Sequence, residues 1–276
     1  MKNFIIEGTI KALTPIFHGG DEKTGSTPVL RTIMMYVEGL GEVAIPYYSG
    51  NAFRGKGRRL LIKDFIDHLD YEIKNSKLYH VLYSGGLLET SDKETGIINL
   101  EMRKKIRTLL PPIALLGTSI GNQIIPGILI VEHMFPICME YKEYLPEKYK
   151  NMKQTEISVR TFTDQSFFTR RDDLREERNK EQQAIQMKVD YECFIPGTTF
   201  YHRLVLQIPT ELQISTLGRM IKLMIELPYL GGKSASGDGK VKFEYENVPK
   251  DKLYLDFIEE NKEKIITFLK ELEEVL

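Results

Sequence analysis

Apolar and polar residues alternate along several stretches of the chain, which is the pattern of strands with one buried face. The segments 31–37 and 41–48 alternate on either side of the turn EGLG, so they predict a hairpin. A Gly-containing turn precedes a further apolar stretch at 124–137, which also predicts a strand. The remaining strands are predicted at 2–13, 191–208 and 240–246.

Other stretches place apolar residues three or four positions apart, which predicts helices. Segment 50–69 is the clearest of these, and Ser49 or Asn51 can cap its start. Its apolar positions are Phe53, Leu60, Leu61, Phe65 and Leu69. The other predicted helices lie at 101–110, 210–227 and 251–276.

The order of these elements predicts an α+β fold. Without the hairpin and a polar stretch in the middle, the core reads β-α-β-β-α-β, the order of the ferredoxin-like arrangement. We therefore predict one domain over residues 1–276. It carries a loop and hairpin insertion at 14–48, a polar arm at 138–190 with few core residues, and a C-terminal helix at 250–276.

Composition narrows the class of protein. Of 276 residues, 42% are hydrophobic, enough for a sizeable core, yet no apolar run approaches the roughly 18 residues of a membrane span. We expect a cytoplasmic protein without a membrane partner. Cys138 and Cys193 lie outside any C-x-x-C and predict buried free thiols, and the five histidines are scattered, so no metal or cofactor is expected. A net charge of −1 requires any nucleic-acid site to be a local basic surface.

The stretch GGKSASGDGK at 231–240 contains G-K-S, the letters that end the phosphate loop of nucleotide triphosphatases. That loop needs G-x-x-x-x-G-K-[ST] directly after a strand. Here the position of its first glycine is Leu227, followed by Pro228, and the preceding segment is a predicted helix. The spacing therefore excludes a phosphate loop.

Two interpretations of this glycine loop remain. The glycines expose backbone N–H groups, and Lys233, Ser234 and Ser236 add donors, so the loop can approach a sugar-phosphate backbone closely. The alternative is a flexible connection between a helix and a strand.

The start of the helix at 50–69 is strongly basic. Gly55 and Gly57 interrupt the basic residues at a cost to helix stability of roughly 1 kcal/mol each relative to alanine, which indicates close contact with another group. A phosphate chain at a helix N-terminus fits these features, and the alternative is a solvated basic face. The cations are Arg54, Lys56, Arg58 and Arg59.

Four stretches, in order, resemble motifs of the RAMP superfamily of CRISPR-associated proteins. IPYYSGNAFRGKGRR resembles its P-x-S-x-x-x-R-G signature, and YLGGKSASGDGKV its C-terminal glycine-rich loop. CFIPGTTFYHRLVL resembles its P-G-T-x-F strand, and LLGTSIGNQIIPGILIVEHMFPI its FG…G-x-L-x-V segment. Within the superfamily, the chain is most similar to the backbone subunit, the Cas-seven group.

This resemblance implies an RRM-type ferredoxin-like palm with inserted finger and thumb elements. It also implies a CRISPR-RNA-binding backbone subunit that forms a filament of copies along the guide, joins other effector-complex subunits and lets the guide pair with a target nucleic acid. The residues that it implies as guide-backbone contacts are Ser49, Asn51, Arg54, Lys56, Arg58, Lys233, Ser234 and Ser236. Arg59, from the same basic start of the helix, is a further candidate RNA contact.

The polar arm mixes cations and aromatic residues within 158–183. Cations can track phosphate, and an aromatic side chain can wedge between stacked bases. Its acidic residues nearly balance its basic ones, so docking on a neighbouring subunit and a solvated arm are the alternatives. The candidate RNA contacts of the arm are Arg160, Phe167, Phe168, Arg170 and Arg171.

Two positions bear on catalysis. Backbone subunits of type III complexes cleave RNA with an aspartate two residues before a proline, where this chain has Ser26 before Pro28; Asp21 is the only aspartate nearby. The departure indicates a non-cleaving subunit of a type I or type IV complex. His18 supports a different hypothesis, because RNA-processing endoribonucleases of the superfamily use a histidine as general acid or base.

Overall fold

The computed structural model describes residues 2–24, 27–86, 99–120, 123–170 and 187–276. The strands of this part of the chain are β1 (Phe4–Ala12), β2 (Gly19–Thr24), β3 (Thr27–Leu30), β4 (Thr32–Val37), β5 (Gly41–Pro46), β6 (Gly117–Ile120), β7 (Gln123–Pro126), β8 (Leu129–Val131), β9 (Phe135–Pro136), β10 (Thr163–Arg170), β11 (Met187–Phe194), β12 (Thr199–Leu206) and β13 (Val241–Tyr245). The α-helices are α1 (Gly50–Leu69), α2 (Ser76–Tyr79), α3 (Leu100–Leu109), α4 (Pro111–Leu116), α5 (Glu147–Lys150), α6 (Glu211–Glu226) and α7 (Lys252–Val275).

The central sheet has the strand order β13-β1-β12-β8, and every neighbouring pair is antiparallel. Counted along the chain as the four core strands, this order is 4-1-3-2. Along the chain, α1 lies between β1 and β8, and α6 lies between β12 and β13. The predicted β-α-β-β-α-β core and the α+β class are confirmed.

One face of the sheet is buried beneath α1 and α6. In β1, Ile6 and Ile10 point inward and are at most 1% exposed. They share a core cluster with Phe65 of α1 and with Leu217 and Met220 of α6. Burial of this single apolar face fixes the register of β1, because a slip by one residue would turn these side chains to solvent.

Two local features explain how α1 and α6 pack closely. A Cβ atom at Gly57 would stand 2.8 Å from Met220 Sδ, so glycine provides room for α6 at this point. Farther along α1, the Asp64 carboxylate accepts from Nε of Arg219 at 3.1 Å and from the Tyr254 hydroxyl at 3.4 Å. Arg219 also donates to Asp251 at 3.1 Å, which connects α1, α6 and the start of α7.

Four predicted segments differ from the structure, the polar arm among them. The strand predicted at 191–208 is divided into the end of β11 and β12, which belong to different sheets. The predicted loop at 14–29 contains β2 and β3, which pair with an irregular register. The single strand predicted at 124–137 is divided into β7, β8 and β9. A Cβ at Gly127 would lie 2.4 Å from the Leu116 carbonyl carbon, so the chain turns tightly against α4 there.

The polar arm is also more structured than its composition indicates. Strand β10, within the arm, pairs antiparallel with β11, where the arm ends, and residues of the arm before β10 contribute to two small apolar clusters. The members of these clusters include Cys138, Leu145, Tyr149, Val159 and Phe162. The prediction of few core residues was therefore wrong for 138–162, because tyrosine and isolated apolar residues build these clusters without a periodic pattern.

Cys138 and Cys193 are both buried free thiols, as predicted. Within the described residues, no helix combines the length and apolar character that crossing a bilayer requires. Over the same ranges, no group of three or more histidine, cysteine or acidic side chains is arranged to hold a metal ion.

Removing the arginine of the buried pair should destabilise the fold strongly. We expect Arg219→Leu to lower the free energy of unfolding by about 3–5 kcal/mol, because Asp64 would stay buried without its partner. The measurement is urea denaturation. Lys63→Leu is the control: its ion pair with Asp67 has side chains 67% and 61% exposed, so its loss should cost no more than about 1 kcal/mol. Equal losses of unfolding free energy in the two variants would contradict the assignment of Asp64 and Arg219 as a stabilising buried pair.

Candidate nucleic-acid interface

A cleft of about 670 Å³ lies over the first turns of α1. The glycine loop forms part of its wall, and the short helical segment around residues 79–84 forms another part. The lining residues are Phe17, His18, Gly19, Tyr48, Asn51, Ala52, Arg54, Gly55, Lys56, Arg58, Arg59, Tyr79, Tyr83, Ser84, Gly231 and Gly232. The structure thus brings together the two stretches that the sequence singled out, although they are more than 170 residues apart.

The start of α1 is held by side chains that accept its free N–H groups. The Ser49 hydroxyl accepts from the Asn51 N–H at 3.2 Å and is the predicted N-cap. His18 Nε2 accepts from the Ser49 N–H at 3.1 Å, and His133 Nδ1 accepts from the Gly50 N–H at 3.0 Å. Ser49 is buried, so its role in the structure is to cap the helix.

His18 is consequently held in its neutral form. Burial, with smaller contributions from Arg31 and His133, lowers the pKa of His18 to about 4. The nitrogen that accepts from Ser49 cannot carry a proton at the same time, so the hydrogen-bond network assigns the ring proton to Nδ1. The His18 ring lies 4.4 Å from the Tyr48 ring, centroid to centroid.

Three of the four predicted cations donate to backbone carbonyl groups of the protein. Arg58 is only 7% exposed and donates to the carbonyl oxygens of Gly117 at 2.8 Å and Leu116 at 3.0 Å. Arg54 donates to the Leu116 carbonyl as well. These oxygens end α4, where intrahelical donors are missing and a positive charge is favoured.

Lys56 has the same role at the end of α6. Its Nζ donates to the Leu227 carbonyl at 2.6 Å and to the Tyr229 carbonyl. Burial, followed by the nearby Arg59, lowers the pKa of Lys56 to about 8. Burial and then Arg54 lower the pKa of Arg58 to about 10. The cations of α1 therefore tie this helix to the end of α4 and to the segment between α6 and the glycine loop.

Arg59 differs from its three basic neighbours. Its side chain is exposed, and no hydrogen bond or ion pair joins it to another residue of the described ranges. Gly55 lies one turn earlier, where a Cβ would meet nothing closer than an Arg59 nitrogen at 3.6 Å. Asn51 is exposed at the same rim. The first turn of α1 has no acidic residue, so this part of the cleft attracts anions.

The glycine loop is anchored rather than free. The N–H of Gly231 donates to the Tyr48 hydroxyl at 3.0 Å, and that of Gly232 to the Phe17 carbonyl at 2.9 Å. Gly239 donates to the Pro15 carbonyl. The expectation that these glycines expose their N–H groups is corrected by these bonds. Gly231 has φ +83°, and a Cβ there would lie 2.3 Å from the Phe17 carbonyl oxygen, so only glycine fits.

Lys233 connects the glycine loop to the arm. Its Nζ lies 3.9 Å from the Phe168 ring centroid, 4.0 Å from that of Tyr191 and 5.3 Å from that of Phe17. Such contacts stabilise a cation electrostatically. Tyr191 in turn donates to the Asp238 carboxylate at 2.6 Å. Lys233 and Phe168, which the sequence assigned separately to RNA contact, therefore hold strands β10 and β11 against the loop.

The other predicted contacts lie outside the cleft lining. Ser234 and Ser236 are exposed on the short turn after Lys233. In the arm, Arg160 is exposed, and Phe167 is 62% exposed with Lys188 Nζ 4.7 Å from its ring. The Arg170 side chain and all of Arg171 lie outside the described residues. So do Ser26 and the side chain of Asp21.

Sequence reasoning did not single out several residues of the site. Tyr48 joins the helix start to the glycine loop, and His133 caps α1 from 83 residues away. Tyr79 and Tyr83 also line the cleft. Their spacing of four in KLYHVLYS is a visible signal, because residues four apart share one side of a helix.

Comparison with protein-family models and with curated proteins finds no match. Among solved structures, the chain is similar to one chain described as a "Type IV-B CRISPR Complex". The TM-score is 0.62 at 20% sequence identity, and the alignment covers 88% of this chain and 91% of the other. This likeness concerns the fold.

Replacing His18 by a side chain that does not titrate should alter the pH dependence of stability. The unfolded chain protonates this group near pH 6.5, whereas the folded pKa is about 4. The stability contributed by the neutral ring is therefore complete above the unfolded value and is lost as the pH falls toward 4.

Glutamine can accept the Ser49 N–H without taking up a proton, so His18→Gln should show a flatter decline across this window. The measurement is urea denaturation above and within the window. His202, whose pKa is about 3 because of burial, titrates in both proteins and cancels in the comparison. Identical declines in wild type and variant would contradict the assignment.

Substitutions of Arg58 and Arg59 should show which of the two side chains stabilises the fold. We expect Arg58→Met to lower the free energy of unfolding by roughly 1–3 kcal/mol or more, because buried carbonyl oxygens lose their donors. Arg59→Met should change it by no more than about 0.5 kcal/mol, as for other exposed sites. Chemical denaturation measures both, and a larger loss for Arg59→Met would refute this division.

Proposed function

We propose that this chain is a guide-RNA-binding backbone subunit of a CRISPR effector complex. The observation that carries the proposal is the cleft over α1, where an exposed cation and a helix N-terminus lie beside an anchored glycine loop. The fold supports it, because a protein of similar fold is a chain of a type IV-B CRISPR complex. The four motif resemblances in the sequence support it independently.

In this proposal the cleft binds the sugar-phosphate backbone of the guide. Arg59 supplies the positive charge, and Asn51 supplies a polar side chain at the same rim. Arg54, Lys56 and Arg58 raise the local positive potential while they tie α1 to neighbouring elements through carbonyl groups. Contacts of this kind fix the position of a strand without reading its sequence, which leaves the bases free to pair with a target.

We propose further that copies of the chain assemble along the guide with other effector subunits. The arm supports such contacts, because Phe167 and Arg160 present an exposed ring and an exposed cation away from the cleft. Lys233 orients this arm relative to the glycine loop through the aromatic rings around it. RNA held in the cleft and a neighbour held by the arm would then have a defined mutual orientation.

The proposed role is non-catalytic. The alternative, an endoribonuclease with His18 as general acid or base, requires a ring that takes up and releases a proton near neutral pH. Burial lowers the pKa of His18 to about 4. In the structure, His18 Nε2 is engaged by the Ser49 N–H and the ring is packed against Tyr48. This geometry favours a structural role for His18 at the start of α1.

Reversing the charge of Arg59 should abolish RNA retention. We expect Arg59→Glu, co-expressed with a CRISPR array, to elute without RNA, whereas wild type elutes as a large assembly that carries it. The measurement is size exclusion followed by extraction and sequencing of bound nucleic acid. The absence of tryptophan must be considered when the 260/280 nm ratio is read.

Lys264→Glu is the matched control, because it makes the same charge change at an exposed position of α7 outside the cleft. It should retain RNA like wild type. RNA retention by Arg59→Glu at the wild-type level would refute the binding mode, and equal loss in both variants would indicate a dependence on net charge alone.

A further inference from the structure

Two tyrosines form a stacked pair in the lining of the cleft. The rings of Tyr79 and Tyr83 are 4.5 Å apart between centroids and 20° from parallel. Both line the cleft together with Arg59. Tyr83 packs against the main core, whereas Tyr79 is 49% exposed. The inner ring thus supports the outer one, and the outer ring is presented to the cleft.

This pair does not have the features of ordinary packing. Neither phenol hydroxyl forms a hydrogen bond with another residue of the described ranges. A tyrosine that contributes only to a core is usually buried, with its hydroxyl bonded. A flat ring presented beside a cation is instead the arrangement on which single-stranded nucleic-acid sites rely.

The pair stands on a firmly held segment. Asn75 caps α2 by accepting from the Lys77 N–H at 2.8 Å, and Glu273 of α7 accepts from the N–H groups of Lys74 and Asn75. At the other end, Arg58 of α1 donates to the Leu82 carbonyl at 3.4 Å. A ring platform held at both ends loses little entropy when a ligand stacks on it.

The segment also has the geometry that aligns the rings. Helix α2 passes directly into a π-helical turn at His80–Ser84. Tyr79 ends α2 and Tyr83 lies in the wider turn, so residues four apart come onto one side. The turn therefore directs both rings toward the cleft over α1 rather than along the protein surface.

We propose that Tyr79 is a stacking platform for one unpaired nucleobase of single-stranded RNA, with the adjoining backbone phosphate at Arg59. The proposal rests on the proposed RNA-binding function and names the group that the cleft holds besides phosphate. Every base has a π face, so the platform tolerates any sequence. Its contribution differs physically from that of Arg59, because stacking depends weakly on salt and phosphate neutralisation strongly.

Fluorescence tests the platform directly, because the chain contains no tryptophan. Tyr79→Trp creates a single indole at the platform of the full-length protein, and a stacked base should quench its emission. The probes are a short oligoadenylate and an abasic ribose-phosphate oligomer of the same length and charge. We expect quenching by oligoadenylate and none by the abasic strand.

Tyr144→Trp is the matched control. Tyr144 is 48% exposed and stacked on Tyr141, with centroids 5.6 Å apart, but it lies outside the cleft lining. Its indole should keep its emission with both strands. Equal quenching of Tyr79→Trp by both strands, or quenching of both variants alike, would overturn the platform.

Affinity and its salt dependence provide a second, independent test on oligoadenylate. Tyr79→Ala should weaken binding by roughly 5- to 140-fold, the range for loss of one stacked base, with an unchanged salt slope. Tyr79→Phe should bind like wild type, since the ring is retained. Arg59→Gln should instead reduce the slope of log K against log salt by about 0.7, the value for one single-strand phosphate.

The outcomes distinguish failure of this inference from failure of the proposed function. If oligoadenylate binds, and Arg59→Gln weakens it while Tyr79→Ala matches wild type, the platform is refuted and the RNA-binding cleft stands. If wild type binds neither oligoadenylate nor the guide supplied by a CRISPR array, both proposals fail. Circular dichroism on Tyr79→Ala confirms that any loss of binding occurs in a folded protein.

Discussion

The cleft depends on the way three cations of α1 satisfy backbone carbonyl groups at helix ends. The last carbonyls of a helix lack intrahelical donors, and α4 ends inside the protein, where water cannot replace them. Arg58 and Arg54 supply those donors at Leu116, and Arg58 also at Gly117. The same helix carries Lys56, which donates to the Leu227 carbonyl at the end of α6, so one row of cations ties α1 both to α4 and to the segment that leads into the glycine loop.

This arrangement divides the basic residues by burial. A guanidinium that is removed from water must be paired or fully hydrogen-bonded, so the inward-facing Arg58 is committed to the protein. Arg59, the next residue, lines the same cleft but is exposed, and no hydrogen bond or ion pair joins it to another described residue. In a helix, successive residues are about 100° apart, so adjacent cations acquire different roles without any change in residue type.

A second constraint comes from the N-terminus of α1 and links it to the glycine loop. His18 and His133 accept N–H groups from Ser49 and Gly50, and Tyr48 accepts the N–H of Gly231. The loop approaches so closely at Gly231 that a side chain would collide with the Phe17 carbonyl. Glycine is therefore required at position 231 by a close contact within the protein itself. The loop presents a fixed edge rather than a flexible set of donors.

The sequence by itself determined the core of the fold and the place of the site along the chain. Strong periodicity identified β1, β13, α6 and α7, because one buried face imposes a regular pattern on each of these elements. Helix α1 was recognised from part of its apolar positions although it is buried on several sides, and β12 is buried on both faces. Weak periodicity concealed the division of 124–137 and the small clusters of the arm. The basic start of α1 and the glycine loop were recognisable, since their compositions are unusual.

Only the tertiary structure decided what each residue of the site does. Whether a cation is buried depends on carbonyl groups distant in sequence, as for Arg58 and Leu116 or for Lys56 and Tyr229. The same holds for Lys233, whose ring partners come from the segment after β1 and from both strands of the arm. Such long-range partners cannot be read from the local sequence. They determine how far each charged group is removed from water, and this desolvation decides whether the group stabilises the fold or faces a ligand.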